Sequence, residues 1–357
     1  MLALVTGANG FVGSHVVRAL LRAGVEVRGL VRPGSDRSNL AGLPLELVEG
    51  DLADAAAVAR AVAGATQVFH CAALYAFWAR DPATFYETNV EGTKRVLLAA
   101  ADAGAERIVY TSTHAAVHGA LDEAARADET ADFNLDDLGD HYIRAKQRAE
   151  AAALALARAG APIVIVNPSG PLGPGDYKPT PTGQLMLEFL RGRLPGYTGG
   201  GINFVDVRDV AAGHLLAAQK GRPGERYLLT SRDLSLRDLL RLFADVTGLH
   251  APWLRIPYTA SWLGALVLET WADRISHRPP LLTVPNIRAT RRYFYFSNRK
   301  AVEELGWSTR PLHLAVRDAV AYFIARGLVP ERRRRAVEAY WAKTDGAQSV
   351  GNGTAAP

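Results

Sequence analysis

The sequence carries one cysteine, Cys71, among 357 residues, which excludes an intrachain disulfide framework. No Cys/His spacing suits a zinc ion either, so no metal is expected. Long apolar runs are also missing. Ala260 to Leu268, the longest in the C-terminal half, falls well short of the ~20 residues a membrane-spanning helix needs. The opening run, Leu2 to Thr6, is strand-like and lacks a basic leader and a small-residue cleavage site, so it does not read as a signal peptide. These absences make cytoplasmic residence the expectation. Internal repeats are absent, and so is any nucleic-acid-reading module. The net charge of +5 and pI near 9.3 are therefore referred to an anionic cofactor or to solubility, with no nucleic-acid partner. The densest basic run, Arg332 to Arg335, lies beside Glu331 and Glu338; it reads as a solvated helix face, with membrane-surface contact as the weaker alternative.

What is present is an ordinary globular composition, 48% hydrophobic and 22% charged. A single core stops growing at roughly 250 to 300 residues, so two lobes are expected. Up to Asn167, short apolar runs alternate with alanine- and leucine-rich segments. Strands are predicted at Leu2 to Thr6, Val25 to Val31, Leu45 to Val48, Gln67 to His70, Arg107 to Thr111 and Pro162 to Asn167. Helices are predicted at Val12 to Arg22, Ala55 to Ala63, Thr84 to Ala103 and Asp140 to Ala159. The strands are apolar throughout rather than alternating, as in an α/β, doubly wound parallel sheet covered on both faces. A proline- and glycine-rich stretch from Pro168 to Pro181 ends this pattern. The expected division is a dinucleotide-binding domain at 1–170 plus 202–232, a smaller discontinuous substrate lobe at 171–201 plus 233–328, a basic helix at 329–343, and a disordered tail at 344–357. In this division the segment from Asn203 to Val207 marks the return to the first lobe.

Gly7, Gly10 and Gly13, with Asn9, Phe11 and Val12 among them, sit between the first strand and the first helix in T-G-A-N-G-F-V-G. Gly7 permits the tight turn, Gly10 removes a Cβ where a pyrophosphate must approach backbone N–H groups, and Gly13 lets helix and strand pack closely. The helix N-terminus adds partial positive charge. Arg32 follows the second strand, with no acid before Asp36. A basic residue there accepts the extra phosphate of NADP(H), which is favoured over NAD(H), with Arg37 as a candidate helper.

Tyr142 and Lys146 share a helix face as Y-x-x-x-K. An adjacent ammonium favours phenolate, so Lys146 is expected to lower the pKa of Tyr142 and make it an acid/base. Taken alone the pattern is a common helix pair. Its position, one βα unit after Tyr110-Thr111-Ser112-Thr113, gives it weight.

The G-x-x-G-x-x-G spacing followed in order by Thr113, Tyr142 and Lys146 resembles the extended short-chain dehydrogenase/reductase family, of NAD-dependent epimerase/dehydratase type, over about residues 1 to 328. The ending Tyr293 to Leu305, then Gly306 and Trp307, is similar to that family's F-x-x-x-K-A-x-x-x-L-G-[YW]. The resemblance implies a Rossmann-type fold and a Thr113, Tyr142 and Lys146 triad, with Ser112 as the competitor for the first place and Lys146 also on the nicotinamide ribose. It implies cofactor contacts from Asp51 and Leu52, from Cys71, Ala72 and Ala73, and from Pro168 and Ser169, and a backbone-fixing role for Asn89. His114 and His118 are assigned to loop or packing roles, and Cys71 to an inert small residue.

Two departures stand out: Asn167 where many members have arginine, and Gly170 where nucleotide-sugar enzymes carry asparagine. Dihydroflavonol-reductase-like, 3β-hydroxysteroid-dehydrogenase-like and hopanoid-associated sugar-epimerase-like enzymes are the relatives it resembles within that family, and its texture, including Leu30-Val31-Arg32-Pro33, is nearest the last group and the reductases. The second lobe is rich in Trp253, Tyr258, Trp262, Leu263, Leu266, Trp271, Tyr293, Phe294, Tyr295 and Phe296, most of which are expected to be core. Such a lobe suits an apolar small-molecule substrate, although Arg288, Arg291 and Arg292 leave an anionic one open. The leading expectation is an NADP(H)-dependent ketone reductase or secondary-alcohol dehydrogenase. Its rival is a nucleotide-sugar epimerase or dehydratase; a cofactor-sensing binding protein would more naturally have lost Tyr142 or Lys146. A homodimer is left open.

Overall fold

The computed structural model describes residues 1–76, 78–280 and 282–351. The first half runs β1 (Leu2–Thr6), α1 (Phe11–Arg22), β2 (Glu26–Val31), β3 (Glu46–Glu49), α2 (Ala55–Val62), β4 (Gln67–His70), α3 (Ala83–Tyr86), α4 (Gly92–Asp102), β5 (Arg107–Thr111), α5 (His141–Arg158) and β6 (Ile163–Pro168). Then follow β7 (Gly170–Leu172), α6 (Pro181–Arg191), β8 (Gly201–Asp206), α7 (Val207–Lys220), β9 (Arg226–Leu229), β10 (Arg232–Ser235), α8 (Leu236–Thr247), α9 (Tyr258–Trp271), α10 (Val284–Ala289), β11 (Tyr293–Phe294), α11 (Leu312–Ala325) and α12 (Glu331–Gly351).

Seven strands form one parallel sheet in the order β3-β2-β1-β4-β5-β6-β9. Burial on both faces explains their unbroken apolar character. In β1, Ala3 and Val5 enter the core shared with α1 and α7, while Leu4 enters the opposite core beneath α2 and α4. Strand order reverses between β1 and β4, so the crevice at their carboxyl ends is where a doubly wound sheet receives a ligand.

The smaller sheet has β8 at its centre, antiparallel to β10 and parallel to β11 and β7. Asn203 to Val207 therefore does not begin the return to the main sheet, as expected; its strand belongs to the second sheet, and the return starts with α7 and β9. An apolar strand pattern specifies burial, not which sheet supplies the partner. The ending similar to the family pattern clamps this return. Ala301, Leu305 and Trp307 join the α1/α7 core, the Trp307 indole donates to the Asp209 carbonyl at 2.8 Å, and Lys300 donates to Glu225 at 2.6 Å.

Two expectations change. Phe294, Tyr295 and Phe296 are buried, but Trp253, Leu263, Leu266 and Trp271 are exposed, because α9 turns its large side chains away from the lobe. Residues 344–351 continue α12 where composition predicts a disordered tail. Thr344 bonds the Tyr340 carbonyl at 3.1 Å, and Asp345 pairs with Arg317 of α11, both of which favour continued helix. The rest of that tail, 352–357, lies outside the described residues.

Candidate active site

The chain leaves β1 through Gly7, whose φ of +65° suits glycine. Space is as restrictive as geometry. A Cβ on Gly13 would lie 2.2 Å from the Gly7 carbonyl oxygen, and one on Gly7 would lie 2.8 Å from Ala72 Cα, so the first loop and the turn after β4 press together. Helix α1 starts directly after Gly10 with no acid in its first turn. Its first intrahelical bond is Ser14 N–H to the Gly10 carbonyl at 2.9 Å, so the N–H groups of Phe11, Val12 and Gly13 have no acceptor within the helix. A cradle with no room for a Cβ and a free helix N-terminus fits a dinucleotide pyrophosphate.

Asn9 contributes differently from its neighbours: its side chain donates to the Asp36 carbonyl at 2.8 Å and fastens the second βα turn. Asn39, which the sequence did not single out, donates to the Asn9 carbonyl at 3.3 Å and the Gly175 carbonyl at 2.8 Å, bridging two loops distant in sequence. Arg32 is exposed just beyond β2, whereas Arg37 is taken by Glu49. Asp51 is exposed and accepts from Ala53 N–H at 2.9 Å; Leu52 is buried against Gly92. Burial pushes the Cys71 thiol up to about 11, which makes it a poor nucleophile. Asn89 lies in a π turn, Glu87–Glu91, between α3 and α4. Its amide accepts from Leu74 N–H at 2.7 Å and donates to the Leu74 carbonyl at 3.0 Å, holding the strand-to-loop exit just past Ala72 and Ala73.

Helix α5 is started by Asp140, whose carboxylate accepts from Ile143 N–H at 3.0 Å. This sets Tyr142 in the first turn and Lys146 one turn on. Thr113 leaves β5 in extended conformation and is buried, and its hydroxyl lies against the Tyr142 phenol, favouring the ionised form. The neighbouring Ser112 is also buried. The Tyr142 ring packs on Tyr75 with centroids 4.9 Å apart.

The spacing predicted that Lys146 lowers the pKa of Tyr142. The structure shows the reverse direction: burial, then Tyr75, Tyr110 and Asp140, hold the phenol well above its ordinary range. The Lys146 ammonium instead donates to the Thr111 carbonyl at 2.7 Å and the Tyr110 hydroxyl at 2.9 Å. Lys146 is 2% exposed. Burial pulls its pKa down to about 7, against the carboxylate of Glu150, which raises it.

Glu150 belongs to a network that sequence reading missed. Asn167 donates to Glu150 at 2.6 Å and to the Thr113 carbonyl at 3.0 Å, and Arg226 of β9 pairs with Glu150 at 3.0 Å. Arg226 thus brings a guanidinium to Glu150 from another strand. At the end of β6, His114 Nδ1 donates to the Pro168 carbonyl at 3.2 Å, while the buried Ser169 hydroxyl just beyond has no partner among the described residues. Burial takes the His114 pKa down to about 4, and its ring packs on Phe294 and Phe296. His118 sits 2.8 Å from the Asp132 carbonyl. His114 thus packs among aromatic rings, and His118 lies in a loop. No cluster of metal-ligating side chains and no helix long and apolar enough to cross a membrane occurs among the described residues. The Arg332 to Arg335 run is partly neutralised, since Arg334 and Arg335 pair with Glu331 and Arg334 with Glu338.

A seven-stranded parallel sheet with a glycine cradle at its switch point and a Thr/Tyr/Lys cluster beside it defines a Rossmann-type, dinucleotide-dependent oxidoreductase. The model of the NAD dependent epimerase/dehydratase family matches residues 3–229, and the chain belongs to that family, as an NAD(P)-dependent extended short-chain dehydrogenase/reductase. It is 42% identical over 335 residues to a Synechocystis protein provisionally named dihydroflavonol 4-reductase, covering 91% of this chain and 95% of that one. It is 33% identical over 330 residues to sterol demethylase protein B of Methylococcus capsulatus, covering 92% and 100%. The crystal structure of gox2253 superposes with a TM-score of 0.82 at 42% identity, covering 92% of this chain and 99% of that chain.

Proposed function

We propose that this chain is an NADP(H)-linked reductase of a ketone, or dehydrogenase of a secondary alcohol, on a largely apolar small molecule. The observation that carries this reading is the Thr113 hydroxyl set against a Tyr142 phenol that its surroundings keep protonated. When bound, the dinucleotide supplies or accepts hydride; Gly7, Gly10, Gly13 and the N-terminus of α1 would hold its pyrophosphate, Arg32 its 2′-phosphate, and Lys146 its nicotinamide ribose.

The protein's own groups handle the oxygen and its proton. Thr113 hydrogen-bonds the substrate oxygen and orients it, and Tyr142 delivers its hydroxyl proton to that oxygen in reduction or removes it in oxidation. A phenol held above its ordinary pKa remains a proton donor throughout the neutral range, which suits reduction. Lys146, in its protonated form, places a positive charge near the phenolate left behind, anchored by Thr111 and Tyr110 and supported by Glu150.

The surroundings favour an apolar substrate. Tyr142, like Leu74, Ala76, Ala79 and Tyr86, packs against the apolar cluster of Phe85, Val90 and Ala145. A Cβ on Gly170 would come within 3.0 Å of the Phe204 ring, so this position resists the asparagine that nucleotide-sugar enzymes use. The names of the two relatives, a dihydroflavonol reductase and a sterol demethylase protein, are of the same substrate character. The test is stoichiometric. Purified protein given NADPH and a panel of apolar ketones should oxidise one NADPH per ketone reduced; interconversion of a UDP-sugar with no net consumption of added dinucleotide would overturn the reading.

A further inference from the structure

Helix α9 is built inside out. Of its fourteen residues, those buried are Ser261 and Ala265, both small. Its large apolar side chains form an outward stripe: Leu263, Leu266, Val267 and Trp271, continued by Ile275 in the turn that follows. These fall at i, i+3, i+4, i+8 and i+12, one face of a helix. Val267 is 67% exposed and Trp271 56%, and Trp253, in the segment leading into α9, reaches 86%. A soluble helix normally directs such a stripe at its own core, and a contiguous apolar patch of this kind marks an interaction surface.

The charge around the stripe indicates its partner. Arg255, Arg274 and Arg278 are exposed and take part in none of the ion pairs formed among the described residues. The two acids of the same stretch accept from neutral donors, Glu269 from Val284 N–H at 2.8 Å and Asp273 from the Trp78 indole at 2.8 Å, and the three arginines outnumber them. The result is an apolar strip edged by unpaired guanidinium groups and tryptophans, complementary to acyl chains below phosphate headgroups. At fourteen residues the helix is too short to span, since ~20 are required, so it lies in the interface plane.

We propose that α9, with Trp253, docks this protein on an anionic membrane surface. The docking does not depend on which reaction Tyr142 carries out. The full chain is floated with vesicles of phosphatidylcholine alone and of equal parts phosphatidylcholine and phosphatidylglycerol. It should float with the mixed vesicles and far less with phosphatidylcholine alone. Val267→Asp with Trp271→Asp should cut the floated fraction by about fivefold or more, with an unchanged thermal midpoint. Trp253→Asp, in the loop, serves as the second variant should the double one unfold. Arg255→Glu with Arg274→Glu should bring binding to mixed vesicles down to the phosphatidylcholine level.

Three results would overturn the proposal. The wild-type chain could fail to float with either vesicle, or the Asp variants could float as well as it does. Alternatively, sedimentation equilibrium could reveal a dimer that these substitutions dissociate, in which case a second copy covers the stripe.

Discussion

Helices α1 and α9 are of similar length, twelve and fourteen residues, yet they aim their apolar side chains in opposite directions. Helix α1 buries seven residues, including Val16, Val17 and Leu20, against the main sheet; α9 buries Ser261 and Ala265 and holds its leucines outward. The first helix is shaped by what lies inside the chain, a sheet and a phosphate cradle. The second is shaped by something outside it. Stability and chemistry should therefore respond to α1 and its neighbours, whereas association should respond to α9.

Substitutions can break or sharpen this contrast. The largest effect belongs to Tyr142→Phe, which removes the proton alone. Turnover should fall by about 10²- to 10⁴-fold while dinucleotide affinity, read by fluorescence titration, stays nearly intact; retained turnover would remove Tyr142 from its role. Gly13→Val comes next. With no room for a Cβ, the α1 loop must open, and both dinucleotide affinity and stability should drop, the latter by about 1 to 3 kcal/mol in chemical denaturation. Arg32→Ala should weaken NADPH by about tenfold or more and NADH little, and equal losses would dismiss the arginine from cofactor choice.

A smaller effect is expected from Glu150→Gln. Its carboxylate raises the pKa of Lys146, which burial has already lowered to about 7. Removing it lowers that pKa further, so the ammonium is lost at lower pH. The alkaline limb of the kcat/KM profile should move down by about one pH unit; an upward move would contradict the assignment. Smallest of all, Val267→Ser on the outer face of α9 should change unfolding free energy by no more than about 0.5 kcal/mol, and a core-sized loss would show that α9 is packed after all.

Much of the site was legible because its parts are local. The glycines lie within one turn, Tyr142 and Lys146 are four apart on one helix, and Thr113 follows closely on a strand that reads plainly as apolar. What escaped is non-local. Glu150 and Arg226 are 76 positions apart, and nothing in either segment announces the other. Asn39 spans 136 positions to reach Gly175. The direction of the Tyr142 shift was misread because helix spacing places a lysine near a tyrosine but does not say where its ammonium points; the Tyr110 hydroxyl and the Thr111 carbonyl decide that. The strand around Asn203 was assigned to the wrong sheet for a related reason, since alternation says nothing of which neighbour a strand will find. The apolar inventory of the second lobe was taken for core because composition carries no direction.

The Arg226 to Glu150 pair also bears on the order in which the molecule can be assembled. Glu150 sits on α5, complete early in the chain, but its cation arrives on β9, after the excursion through the second sheet. Until β9 adds to the edge of β6, the Glu150 carboxylate has only Asn167 and the nearby Lys146 to face and lacks its guanidinium partner. A chain ending near residue 170 would contain the glycine cradle and the full Thr/Tyr/Lys cluster and still lack the guanidinium that pairs with Glu150. Addition of the seventh strand to the sheet completes the set of partners around Glu150.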